Sequence, residues 1–98
     1  MDEAHKHISV TVAFIDAAFP SGVRADDYKS LLWILDEADF SIRAIASVIA
    51  SAGISDWAHA YNDTLGVLAE KAKWSIPAAE LKRSIDPALW ARWLKEIE

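Results

Sequence analysis

The sequence predicts an all-α fold, a compact single-domain bundle of five or six short helices. Three observations predict it. Large apolar residues recur at i, i+3, i+4 and i+7 over most of the chain. Segment boundaries carry helix punctuation, with Ser or Asp before a run and Gly or Pro beside it. Only one stretch alternates like a strand, and an isolated strand has nothing to pair with. The 98 residues make one domain, residues 1–98, without room for a second core.

Residues 8–19 are that stretch. Ile8, Val10, Val12 and Phe14 alternate with smaller residues, yet Val10, Phe14 and Ala17 with Ile8, Val12, Ile15 and Phe19 also keep helical spacing. For want of a partner strand we read a helix, with residues 1–7 as a frayed end. Pro20 stops it by pushing the preceding residue out of the helical region. Gly22 supplies a permissive turn position.

Asp26 or Asp27 is expected to cap the second helix. Leu31 to Leu35 is five consecutive large apolar residues, so this helix has almost no face fit for water and belongs at the centre of the bundle. It ends near Asp36, Glu37 and Asp39, acids that also precede the next helix's positive end. Ser41 caps the third helix, Phe40 and Ile45 have staple spacing, and Gly53 stops it. The third helix buries Ile42, Ile45, Val48, Ile49 and Ala52.

Ser55 is expected to cap a fourth helix whose core-facing stripe is Ile54, Trp57, Ala58, Tyr61, Leu65, Leu68, Ala69 and Ala72. Gly66 inside it suggests a close helix crossing. Pro77 fits the first turn of a short fifth helix carrying Leu81 and Ile85. Asp86-Pro87 is a cap-plus-N1 pair opening a last helix with Leu89, Trp90, Trp93, Leu94 and Ile97.

Residues 14–35, with Ala-Phe-Pro-Ser-Gly-Val, then Asp-Tyr, then Leu-Leu-x-x-Leu, resemble a small all-helical family of mycobacteria and related actinobacteria. In that family an aromatic-Pro-x-Gly-Val turn precedes an Asp-Tyr and a leucine-rich helix. Gly53 and the Ile76–Arg83 stretch are similar to its later part. Arg24 stands where the family often has proline, and the Trp-rich end departs from its usual tail. The family is a domain of unknown function, so the resemblance implies a helical fold and carries over no site.

Composition excludes several classes. With no cysteine, disulfides and thiolate metal sites are absent, which suits a reducing cytoplasm. The acidic start is not a secretory signal, and a five-residue apolar run is far short of the roughly 20 that span a membrane. The net charge of −5 is unevenly placed. Residues 1–40 hold eight acids against three bases, whereas 71–95 hold six bases against two acids.

No P-loop, dinucleotide fingerprint, nucleophile elbow or zinc-protease motif occurs, so we expect no enzyme and no cofactor. Asp56, His59 and Asp63 share a helical face, but one helix cannot complete a coordination sphere, and a solvated face explains them. His5 and His7 read as terminal polarity, so no metal is expected. Phe40–Leu68 has the outline of a helix-turn-helix, giving an alternative reading as a nucleic-acid-associated regulator. A recognition helix with Asp56 and Asp63 would repel phosphates, however, and nucleic acid is disfavoured.

The leading expectation is a non-enzymatic protein-interaction module, binding a protein partner or forming a homodimer. Trp and Arg dominate interface hot spots, which nominates Trp90, Trp93 and Arg92 on the last helix, with Lys95, Lys82 and Arg83 around them. The opposed charge of the two halves would also permit head-to-tail association.

Overall fold

The structure, a computed structural model, describes the backbone of residues 2–98 and the side chains of residues 7–98. Of the frayed end expected over residues 1–7, residues 2–7 run in the first helix and Met1 lies outside the described residues, while the His5 half of the His5–His7 pair lies outside the described side chains. Six helices and no strand make up the described residues: α1 (Asp2–Ala18), α2 (Ala25–Glu37), α3 (Ile42–Ser51), α4 (Trp57–Ala69), α5 (Lys71–Ser84) and α6 (Pro87–Glu96). Residues 8–18 are helical, as the lack of a second strand requires. The Cα radius of gyration is 12.3 Å, close to the ~13 Å of a compact 100-residue domain.

The Leu31–Leu35 run is buried throughout, together with Ser30. Helix α2 packs on α3, α4 and α5, while α1 packs on α3 and α6. The expectation that every other helix surrounds α2 is therefore corrected: α2 centres one half, and α3 joins it to an α1–α6 pair. The indole of Trp33 reaches out of α2 and donates to the Lys71 carbonyl at 3.0 Å, pinning the start of α5. The N-cap of α2 is Arg24, without a side-chain bond, and not Asp26 or Asp27. Those acids fall in the first turn, where their charge still faces the positive end of the helix.

Two helices end in the same way. At α3, Gly53 takes φ +74°, and the Gly53 and Ile54 amides donate to the Ala50 and Ile49 carbonyls. This is the Schellman arrangement, which satisfies carbonyls the helix leaves free. At α2 the Asp39 and Phe40 amides donate to Asp36 and Leu35 in the same pattern, but the residue at φ +69° is Asp39 rather than a glycine. Ser41 then caps α3 through Ala44, and Phe40 and Ile45 are both buried at staple spacing.

Helix α4 is capped by Asp56, whose carboxylate accepts the His59 amide at 2.8 Å, and not by Ser55. Helix α5 begins at Lys71, so Pro77 stands in its interior rather than its first turn. Proline offers no N–H to the Lys73 carbonyl one turn back. Asp86 and Pro87 open α6 as expected, with the Asp86 carboxylate accepting the Ala88 amide at 2.9 Å.

The charge asymmetry of the sequence folds back on itself. Lys71 pairs with Asp36 at 2.9 Å and Lys82 with Glu37 at 2.8 Å, joining the basic α5 to the acidic end of α2. Charges that suggested attraction between molecules are partly neutralised within one.

Candidate functional site

The tryptophans of α6 divide. Trp93 is 1% exposed, stacks on Phe14 with ring centroids 4.6 Å apart, and donates to Thr11 at 2.8 Å. It is a core residue, and its expected place on an interaction surface is corrected: α1 covers the ring. Trp90 is half-buried, edge-on to Phe14, with the Lys82 ammonium 5.6 Å from its ring centre. Lys82 also lies over Trp33 and holds Glu37, so it fastens α5 to α2 and α6. Arg92 is exposed and pairs with Glu96 one turn along. Arg83 and Lys95 are exposed. Of the six nominated residues, Trp93, Trp90 and Lys82 serve packing, and three cations remain on the surface.

Asp56, His59 and Asp63 do not converge. Asp56 caps α4 and contacts the His59 imidazole. Asp63, expected on a solvated face, is half-buried and accepts the Tyr28 hydroxyl at 2.8 Å, tying α4 to α2. Burial, reinforced by that hydrogen bond, pushes the Tyr28 phenol well above its ordinary value, so it stays a donor. Among the described residues no group of three His, Asp or Glu side chains is placed to hold a metal ion.

The largest departure from expectation is the rotation of α4. Its buried residues are Ala60, Thr64 and Val67, not the Trp57–Tyr61–Leu65 stripe. Trp57 and Leu65 are each 43% exposed, and Ala58, Ala69 and Ala72 are also outside. Small residues face inward because α4 lies against both α3 and α2. There Thr64 meets its hydroxyl's need by donating to the Ala60 carbonyl at 2.7 Å.

The outward side of α4 carries no Lys, Arg, Asp or Glu, and the exposed His59 stands at its edge on the Gly66 flank. Ala58, Asn62, Leu65 and Ala69 follow one another at four, three and four residues, the spacing of a helix–helix seam. Trp57 and Tyr61 flank that line on one side and Gly66 on the other. The two aromatic rings stack at 5.2 Å, and the Trp57 indole donates to Ser47 on α3 at 3.2 Å, so the platform is held in place before anything binds. Nothing lies within 4 Å of where a Cβ would sit on Gly66. Within the monomer this glycine costs the helix about 0.5–1 kcal/mol against alanine with no packing return.

Helix α3, the Gly53 turn and α4 do form two helices joined by a turn, but α4 carries no Lys or Arg to meet phosphate. The α4 face is hidden in the sequence because its stripe of larger residues has the pattern of a core-facing side. One signal was available: Ala60, Thr64 and Val67 also keep helical spacing, and residues 57–69 hold a single acid.

Compared with protein-family models, characterised proteins and solved structures, the chain matches none.

Proposed function

We propose that this chain is a non-enzymatic helical protein-interaction module whose contact surface is the outer face of α4, in place of the α6 tryptophans. One observation carries the reading: Trp57 and Leu65, each 43% exposed, lie on a helix side without Lys, Arg, Asp or Glu. Solvated helix faces normally carry charge, and contiguous apolar faces with an ordered aromatic anchor mark contact sites.

The test is photo-crosslinking in cells from a reactive residue placed at Leu65, with Ile76 as control. Ile76 is 70% exposed and lies on α5, away from the seam. A discrete adduct from position 65, absent from position 76 and lost with Trp57→Ala, is the expected result. Equal labelling at both positions, or none at 65, removes the reading.

A further inference from the structure

We infer that the cleft between the start of α2 and the second half of α5 binds a short aliphatic diamine. The cleft measures about 380 Å³, at the small end of the ~300–1,000 Å³ of ligand sites. None of its lining residues belongs to α4, so this site is independent of the contact surface proposed above. Helical spacing builds both walls. Asp27 and Ser30 stand one turn apart on α2, and Pro77, Glu80 and Leu81 share one face of α5.

Ser30 is the residue that asks for a ligand. It is only 2% exposed, yet among the described residues its hydroxyl makes no hydrogen bond. Thr64, Ser75 and Ser84 each donate theirs to a carbonyl of their own helix. Among those same residues no fully enclosed side-chain oxygen lacks a partner, so the Ser30 oxygen is the part of the residue that the cleft reaches. A serine held this way costs the helix against alanine and returns nothing within the molecule.

Charge selects the ligand. Arg24 pairs with Asp26 at 4.0 Å, whereas Asp27 and Glu80, one on each wall, have no ion partner among the described residues. The other end of α2 is neutralised, with Asp36 and Glu37 taking Lys71 and Lys82 from α5. The cleft thus keeps a surplus of two negative charges. That surplus turns away an anion from the start of α2, although no side chain caps it. Among the described residues, no three acids or histidines are placed for a metal ion. An ammonium group offers donors only, and carboxylates accept only. Asp27 and Ser30 are placed to accept from one ammonium and Glu80 from the other, with Pro77 and Leu81 giving apolar surface to the methylenes between.

The test is titration of the isotopically labelled protein with putrescine to about 10 mM at constant ionic strength, followed through amide NMR shifts. Saturable shifts at Asp27, Ser30 and Glu80, with the exposed Asp16 of α1 unmoved, are the expected result. Glu80→Gln, at an exposed position, should weaken binding at least about threefold. Ser30→Ala should weaken it about two- to tenfold without lowering unfolding stability, a combination that a folding defect cannot produce. Because this second variant removes no charge, it separates a seated ammonium from diffuse attraction to acids. Shifts that do not saturate, equal shifts at Asp16, or an affinity unchanged by Ser30→Ala would overturn the diamine site.

Discussion

The Trp93 indole donates to the Thr11 hydroxyl across 82 positions of sequence, in the interior between α1 and α6. The hydroxyl gives the buried indole N–H its acceptor. Thr11→Val should cost about 1–3 kcal/mol by leaving the buried indole N–H without an acceptor. Trp93→Phe should cost more, because it also opens a cavity beside Phe14. The double variant should lose less than the sum of the two, by 0.5 kcal/mol or more, in a denaturant-unfolding cycle. Strict additivity would show that the bond contributes nothing.

Asp39 sits where Gly53 sits in the matching turn. A β-carbon in the left-handed region costs roughly 1 kcal/mol, and aspartate tolerates it only partly. Asp39→Gly should therefore raise stability by about 0.5–1 kcal/mol, and Asp39→Val should lower it. Urea midpoints of the three proteins test the order; a glycine variant below wild type would contradict it.

Leu32 and Leu35 are fully buried in α2. Truncating either to Ala should cost about 2–5 kcal/mol, whereas Leu65→Ala, on the outer face of α4, should cost under about 1 kcal/mol. Loss of similar size at all three sites would mean that α4 is rotated inward after all.

The Asp56–His59 contact gives the start of α4 a pH window. The His59 amide, with its imidazole, holds the Asp56 carboxyl below its ordinary 3.8, and that carboxylate raises the imidazole above its ordinary 6.5. The depressed carboxyl stabilises the fold above 3.8 and stops doing so as pH falls through its folded value. The raised imidazole stabilises below 6.5, a contribution lost as pH rises through its folded value. Amide protection at Trp57–Ala60 should peak between about pH 4 and 6.5, modestly and less so at high salt. His59→Gln should flatten the alkaline limb and Asp56→Ala both limbs; a wild-type profile without a peak would count against the contact.

Local signals proved legible where one residue decides the outcome. Ser41, Gly53, Asp86 and Pro87 stop or start helices through their own backbone and side-chain chemistry, and the structure places each as its neighbours require. The Leu31–Leu35 run was legible for another reason: with no polar face, it has only one place to go. Helix α4 was not, because two faces of it can enter a core and local periodicity ranks them by size of side chain. The choice fell to α2 and α3, whose close approach admits Ala60 and Thr64 and turns Trp57 outward. Trp93 was illegible in the same sense, since its place depends on Thr11 and Phe14 at the far end of the chain.

That pairing of distant ends sets an order on synthesis. Phe14 and Thr11 emerge early, but the ring that covers them arrives 79 residues later, and at ribosomal rates of about 5–20 residues per second the interval is roughly 4–16 s. Part-way through that interval α1 gains α3 to lean on, but it still lacks its lid. The nascent chain can assemble α2 to α5 as they appear, while the N-terminal helix stays open to other company. Its last helix is the one that ends the wait.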